Sequence, residues 1–172
     1  QSARGVPAFI GDLLKFRKVY RGKLAIKPCL HDRYDQSGEA RNESFIQDLL
    51  VAQWLNQANP RRHVDVGSRI DGFVAYVASF RELEVLDVRP LVAEISGVSF
   101  KQLDLMDGEA VKKLGARDKC DSLSCLHTIE HFGLGRYGDP IDPMGHKVGF
   151  KNLSSLLEPG VILYLSTPVG DA

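Results

Sequence analysis

The stretch His63-Val-Asp-Val-Gly-Ser68 decides the fold that this sequence predicts. Residues 63–66 form a short apolar run, Gly67 permits a turn, and a helical pattern begins near residue 71. A strand that passes through a glycine turn into a helix is typical of the start of a βαβ unit.

The same alternation continues outward from this stretch. Further strands are predicted at 83–88, 98–104, 121–127 and 161–166, and helices at 44–57, 71–80, 90–96, 107–114, 128–132 and 146–158. Five strands that alternate with helices favour an α/β domain, in which right-handed βαβ units build a parallel sheet with helices on both faces. Ligands of such sheets bind beyond the carboxyl ends of the strands.

Composition narrows the classes of function. Because 22 Lys and Arg residues balance 22 Asp and Glu residues, binding to nucleic acid through phosphate contacts is disfavoured. No apolar run approaches the ~18 residues of a membrane span, so no membrane partner is expected. Three cysteines are too few for a disulfide framework and predict a reducing, cytoplasmic environment.

A length of 172 residues suits one domain. Residues 1–43 mix basic and turn-forming residues and are predicted to form an N-terminal arm, which leaves 44–172 as the α/β domain. The chain begins with Gln1 rather than Met and stops at Ala172 after a strand-like run, so a fragment and a processed product both stay open.

Polar residues follow three consecutive predicted strands. Gly67 lies in a turn that lets a ligand approach the backbone, and Asp87 ends the second strand, where a carboxylate accepts both hydroxyl hydrogens of a ribose. Asp104 ends the third strand beside the apolar Leu105, and can accept a hydrogen bond from an adenine amino group. Each feature alone is more often a turn or a helix cap, but together they favour a nucleoside site. The Gly67–Gly72 spacing is not G-x-G-x-x-G, which argues against a plain dinucleotide site.

At these residues the sequence resembles the class I S-adenosylmethionine-dependent methyltransferases. The similar stretches are 63–68, 86–87, 102–104, 121–131 and 158–168. Within that superfamily, Asp-Val-Gly-Ser-Arg-Ile-Asp-Gly-Phe-Val at 65–74 and Leu-His-Thr-Ile-Glu-His-Phe-Gly-Leu-Gly-Arg-Tyr-Gly-Asp at 126–139 resemble the uncharacterised domain-of-unknown-function family 268.

The resemblance implies a Rossmann-like sheet with strand order 3-2-1-4-5 and S-adenosylmethionine as the cofactor. The first loop would face the methionine part, Asp87 would hold the ribose, and Asp104 with Leu105 would hold the adenine. The cofactor-binding residues that it implies are Asp65, Gly67, Ser68, Asp87, Val88, Asp104, Leu105 and Leu126.

Two features depart from the family pattern. Arg69 stands where the first loop usually has its second glycine, and adds a positive charge near a cationic sulfonium. The family sheet normally has seven strands, whereas this chain has room for five, so the resemblance implies a truncated sheet.

The segment His127-Thr-Ile-Glu-His131 carries three titratable residues within five positions. Its H-x-x-E-H spacing matches an inverted zincin pattern, in which two histidines share a helix face and the glutamate activates a metal-bound water. A third ligand would come from Asp139, Asp142 or His146. The alternative is that these polar residues line a cleft or cap a short helix.

For methyl transfer to a hydroxyl, a base is needed, and a histidine suits that role. We therefore take His127, Glu130 and His131 as the candidate catalytic residues, with His127 or His131 as the base and Glu130 as the residue that orients it.

The run from Gly133 to His146 contains four glycines and two prolines and is predicted to be a loop at the active edge of the sheet. Arg136 is a candidate for binding a phosphate or carboxylate of the substrate, and Tyr137 for stacking on a sugar or base. A solvated connector is the alternative.

These observations predict an S-adenosylmethionine-dependent methyltransferase that acts on a small or sugar-like acceptor. A catalytically degenerate binding or scaffold domain is the alternative, favoured by Arg69 and the short sheet. A metal-dependent hydrolase built on H-x-x-E-H is a third hypothesis.

Overall fold

A computed structural model describes residues 2–38, 40, 42–115 and 119–170. The two chain ends, on which the prediction of a fragment or processed product rests, lie outside this set. The backbone forms two compact units, Gln1–Ala40 and Arg41–Ala172. The assignment of 1–43 as an arm and 44–172 as the α/β domain stays a prediction.

The first unit contains one long helix, α1 (Ser2–Val19), and a 3₁₀ turn at Asp32–Tyr34. Within this unit Arg33 forms an ion pair with Asp12, and the hydroxyl of Tyr34 donates to the carbonyl of Arg4 at 3.2 Å. These two contacts tie the 3₁₀ turn to α1.

The second unit is built on a parallel sheet of five strands in the order β3-β2-β1-β4-β5, which confirms the predicted fold. Its strands are β1 (His63–Val66), β2 (Leu83–Asp87), β3 (Val98–Gln102), β4 (Cys120–Cys125) and β5 (Leu157–Leu165). Because β2 and β4 flank β1, the strand order reverses there, and a crevice opens beyond the carboxyl ends of these three strands.

Helices cover both faces of the sheet. They are α2 (Glu43–Ala58), α3 (Ala75–Ala78), which follows a π-helical turn at Ile70–Val74, α4 (Gly108–Lys112) and α5 (Gly145–Ser155). One buried cluster joins residues of α2 and α3 to β2, and a second joins α4 and α5 to β1 and β4. None of the helices in the described ranges is long and apolar enough to cross a membrane.

Helix α2 differs from its sequence pattern in two respects. Its cap is Asn42, whose side chain accepts a hydrogen bond from the Ser44 amide at 3.1 Å, whereas the Ser44/Gln47 spacing predicts Ser44 as the cap. Phe45 and Trp54 match the helical apolar period, yet they are 37% and 47% exposed.

The predicted helix at 90–96 is wrong, because this connection between β2 and β3 has no helical structure. Pro90 pushes the residue before it toward extended backbone, and Val92 lies in solvent, so no packing face stabilises a helix there. The short connection leaves Arg89 free to fold back on the end of β2.

Candidate functional site

A cavity of about 300 Å³ opens beyond the carboxyl ends of the first four strands. Of the residues predicted to form the site, Gly67, Ser68, Asp87, Val88, Asp104, Leu105, Leu126, His127, His131, Arg136 and Tyr137 line this cavity. Asp65 and Glu130 are absent from its lining. The sequence interpretation missed two charged lining residues, Asp48 and Arg89.

Asp65 lies fully buried beneath the first loop rather than on the cavity wall. Its carboxylate accepts hydrogen bonds from the amide and hydroxyl of Ser68, at 3.1 and 2.8 Å, and from the hydroxyl of Ser124 at 2.5 Å. Burial raises the pKa of Asp65 to about 6, although these three hydrogen bonds oppose the shift. Asp65 therefore acts on the cavity through the loop that it holds.

A buried histidine continues this polar chain. Nε2 of His63 lies 3.1 Å from Oγ of Ser124, and Nδ1 lies 2.9 Å from Oγ of Ser122. Because Ser124 gives its hydroxyl hydrogen to Asp65, it must accept from Nε2 of His63, so that ring carries its proton on Nε2. Burial lowers the pKa of His63 to about 3, which keeps the ring neutral.

Gly67 makes the turn that brings the backbone to the cavity. Its φ is +72°, a left-handed conformation that favours glycine. A Cβ atom at this position would lie 2.3 Å from Cγ2 of Thr128, so the loops after β1 and β4 touch here. Only glycine therefore allows both the turn and this close contact.

Arg69 is expected from the sequence to place a positive charge near the cationic sulfonium of the cofactor. Its side chain instead faces mostly outward. Its side chain is 77% exposed and donates two hydrogen bonds to the carboxylate of Asp71, at 2.9 and 2.6 Å. The positive charge is therefore balanced at the rim of the cavity.

Asp87 is held by a neighbouring arginine. Its Oδ1 accepts from the amide and Nε of Arg89, at 2.8 and 2.9 Å, and its Oδ2 accepts from Nη2 at 2.5 Å. A carboxylate offers about four lone-pair sites, so three of them are taken. The hydrogen bonds to Asp87 raise the pKa of Arg89, so the guanidinium keeps its charge.

The third strand supplies a half-buried acid beside an apolar surface. Oδ1 of Asp104 accepts from the Met106 amide at 2.8 Å, and within the described part of the chain its second oxygen is available to a ligand. Leu105 is buried and its carbonyl accepts from Nδ2 of Asn152 at 2.8 Å, so α5 fixes this segment. The arrangement suits an aromatic ring with an exocyclic amino group.

His127 follows β4 in an unusual backbone conformation, with φ of +54°. Its amide donates to Oγ of Ser166 at 3.0 Å, and its Nε2 lies 3.5 Å from Oδ1 of Asp48 in α2. Burial raises the pKa of Asp48, whereas the charge of His127 lowers it. The sequence carries a signal for Asp48, because it shares a helix face with the buried residues Ala52 and Leu55.

The inverted zincin geometry is not formed. His127 precedes a 3₁₀ turn at Ile129–His131, so the two histidines do not share a helix face. Oε2 of Glu130 is buried without a hydrogen-bond partner in the described part of the chain. Among residues 2–38, 40, 42–115 and 119–170, three possible ligand atoms come together only at the exposed His31, Asp32 and Asp35.

The loop after β4 brings two arginines to one tyrosine. The guanidinium carbons of Arg89 and Arg136 lie 4.8 and 5.3 Å from the ring centroid of Tyr137. Nη1 of Arg136 lies 3.3 Å from Nε2 of His131, so the histidine accepts this hydrogen bond. Carboxylate oxygens of Asp139 accept from the amides of Gly133, Gly135 and Tyr137 and hold the loop in shape.

The residues that line the cavity fit an adenosyl ligand in most respects. The Gly67 turn admits a ligand to the backbone, and Asp104 with Leu105 offers an acceptor beside an apolar surface. Asp87 has the right chemistry for ribose hydroxyls, but Arg89 must release at least one of its oxygens first.

Comparison with known proteins finds a family model that matches part of the chain, and solved structures with a similar fold. Residues 98–172 match the family model DUF268, described as "Caenorhabditis protein of unknown function, DUF268". No curated protein matches the chain.

Two solved structures illustrate the similarity of fold. An O-methyltransferase family protein from Burkholderia thailandensis is 13% identical with a TM-score of 0.51, over 71% of this chain and 37% of that one. SAM-bound CalS10, an amino pentose methyltransferase from Micromonospora echinaspora, is 18% identical with a TM-score of 0.52, over 73% of this chain and 51% of that one.

The chain thus spans 37% and 51% of the lengths of these two proteins, and at such identities the likeness establishes the fold. The chain has the fold of the class I S-adenosylmethionine-dependent methyltransferases, and its residues 98–172 match the DUF268 family, as the resemblance of its motifs predicts.

Proposed function

We propose that the domain transfers a methyl group from S-adenosylmethionine to a hydroxyl of a small or sugar-like acceptor. The observation that carries the proposal is the convergence of Asp87, Asp104 and the Gly67 turn on one cavity at the point where the strand order reverses. The cavity is also within the lower range of volumes for small-molecule sites.

In this proposal the loop after β1 takes the methionine part, and Asp65 holds that loop in shape through the amide and hydroxyl of Ser68. Asp87 with Val88 binds the ribose once Arg89 has moved aside. Asp104 with Leu105 binds the adenine, and Leu126 packs beside the sulfur end.

Methyl transfer is an in-line displacement, so the residues mainly hold two reactants in line and exclude water. S-adenosylmethionine, when bound, supplies the methyl group. A histidine at the end of β4 removes the proton of the acceptor hydroxyl. Arg136 and Tyr137, at the mouth of the cavity, hold the acceptor. Glu130 lies off the cavity wall, so any part that it plays passes through its neighbours.

A catalytically degenerate binding domain is the second candidate. The observation that favours it is the engagement of Asp87 by Arg89, which occupies the oxygens that a ribose needs. A domain that kept this pair closed would retain the fold without binding the cofactor.

Calorimetric titration with S-adenosylhomocysteine separates these two functions. We expect saturable binding below millimolar concentration, weakened by about 10-fold or more in Asp104→Asn, because a hydrogen bond to a charged group is worth about 1.5–3 kcal/mol. Glu109→Gln, an exposed acid close by in α4 and outside the cavity, is the matched control and should bind like the unaltered chain. Absence of binding at millimolar ligand would favour the degenerate domain.

A further inference from the structure

The cavity contains one pair of buried polar atoms that face each other. Oδ1 of Asp48 and Nε2 of His127 lie 3.5 Å apart. Within the described residues, neither atom has a hydrogen-bond partner. A buried carboxylate oxygen without a partner costs free energy, so each atom is the available partner of the other.

We propose that Asp48 is a positioning residue that holds the His127 ring with its proton on Nε2 and leaves Nδ1 as the base for the acceptor hydroxyl. The proposal rests on the methyl-transfer function given above and chooses between its two histidines. Asp48 belongs to α2, so the helix before the first strand adds a residue to a site built mainly from strand ends and the loops that follow them.

His131 is less suited to the same task. Its Nε2 accepts from the guanidinium of Arg136, so that lone pair is engaged. Among the residues that the structure describes, no carboxylate oxygen lies within 4.0 Å of its ring nitrogens, whereas His127 has Asp48. His131 instead orients Arg136 toward the cavity mouth.

The backbone supports the assignment to His127. A φ of +54° is uncommon for a residue with a side chain and costs about 1–2 kcal/mol. The amide of His127 donates a hydrogen bond to Ser166, which directly follows β5, and this bond holds the conformation. The chain thus keeps an unfavourable backbone geometry that places the imidazole between α2 and the cavity.

The electrostatic surroundings of Asp48 are limited to a few groups. His127 faces it from the loop after β4, and the charge of Asp48 acts on the buried carboxyl of Asp65 in β1. Glu130 and His131 belong to the same loop as His127. Burial raises the pKa of Asp48, and His127 counters this shift together with a hydrogen bond from the Phe73 backbone.

The hydroxyl proton of the acceptor moves to Nδ1 of His127, and the acceptor oxygen forms a bond to the methyl carbon. The bond between that carbon and sulfur breaks, and its electron pair stays on the sulfur. Asp48 stabilises the resulting imidazolium through Nε2–H, in the way that a buried aspartate assists a histidine base in other enzymes.

The test uses ¹⁵N NMR of the histidine side chains, recorded on the full chain above pH 8 without ligand. We expect His127, assigned by its loss in His127→Gln, to show its proton on Nε2 alone. In Asp48→Leu an Nδ1–H form of His127 should appear, because the acceptor for Nε2–H is gone. Glu43→Gln removes an exposed charge from the same helix and should leave the tautomer unchanged.

A second measurement covers the case in which Asp48→Leu does not fold. In His127→Gln, the pKa of Asp48, followed by ¹³C NMR of its carboxyl group, should rise further because the opposing charge is lost. A mixed His127 tautomer in the unaltered chain, or an unchanged Asp48 pKa in His127→Gln, would overturn the dyad. Failure of S-adenosylhomocysteine to bind, with the tautomer as expected, would instead remove the methyl-transfer function and leave the pairing intact.

Discussion

The guanidinium of Arg89 donates hydrogen bonds to the carboxylate of Asp87 two residues earlier, and its central carbon lies 4.8 Å from the ring centroid of Tyr137. One arginine thus links the end of β2 to the loop after β4, across the mouth of the cavity. This contact occupies the acid that would hold a ribose.

Arg89→Gln should therefore strengthen the binding of S-adenosylhomocysteine. Removing a competitor that makes charge-assisted hydrogen bonds is worth about 1.5 kcal/mol, so we expect ~10-fold tighter binding by calorimetry. Arg69→Gln, which removes the same charge from a guanidinium paired with Asp71, is the control and should change the affinity little. Equal binding by Arg89→Gln would contradict the competition between Arg89 and the ligand, and weaker binding would show that Arg89 assists the ligand.

Gly67→Ala should destabilise the domain more than an alanine at another left-handed glycine. The backbone strain costs about 1–2 kcal/mol, and the clash with Thr128 adds about 1–3 kcal/mol. Gly138→Ala, at a φ of +85° with no atom of the described residues within 4 Å of the new Cβ, should incur only the first cost.

Urea denaturation measures the free energies of unfolding of Gly67→Ala and Gly138→Ala. Adding Thr128→Ser to Gly67→Ala removes the clashing Cγ2 and keeps the hydroxyl, so part of the lost stability should return. If the two alanine variants were equally stable, the contact between the loops after β1 and β4 would be without consequence.

The buried pair His63 and Asp65 should shape the acid sensitivity of the fold. Burial lowers the pKa of His63 from 6.5 to about 3. Below pH 6.5 the unfolded chain therefore binds a proton at this residue that the folded chain does not bind, and the stability of the fold decreases as the pH drops. Burial raises the pKa of Asp65 from 3.8 to about 6, so the folded chain holds the extra proton, and stability rises as pH drops through this window.

The two effects oppose each other between pH 6 and 4, and Asp65→Asn removes one of them. This variant should lose stability more steeply over that range, by up to about 1.4 kcal/mol per pH unit for one proton. Urea denaturation at pH 6, 5 and 4 checks the slope, with the exposed Glu94→Gln as the matched change of charge. If the free energy of unfolding fell equally steeply with falling pH in both variants, the raised pKa of Asp65 would be contradicted.

Asp139 should control the accessibility of the loop that carries Arg136. Because its carboxylate accepts from three backbone amides, Asp139→Ala frees all three, and trypsin cleavage after Arg136 should become about 10-fold faster. Asp142→Ala removes an acid whose side chain, among the described residues, accepts only from the Met144 amide, and it should have a smaller effect. Mass spectrometry of timed digests identifies the cleavage site.

Much of the fold is predictable from local pattern because each strand carries its own apolar run. The strand 63–66 is predicted at its observed bounds, and α2 within one residue at each end. The helix prediction at 90–96 fails because its apolar residues favour a helix only where another surface covers them. Whether such a surface exists depends on the packing of distant parts of the chain.

The candidate site is predictable where the strand ends determine it. Asp87 and Asp104 reach one cavity because neighbouring parallel strands end at the same edge. Asp48 and Arg89 could not be placed in the same way, since one depends on how α2 packs and the other on the backfolding of a short connection.

The left-handed conformation of His127 makes this position one where the stability of the fold and the proposed catalytic role favour different residues. Glycine adopts that conformation without penalty, so a screen that rewards only heat tolerance would tend to replace the imidazole. A variant library ranked by melting temperature would then discard the residue that we propose as the base, and under that proposal its most stable members would not transfer a methyl group.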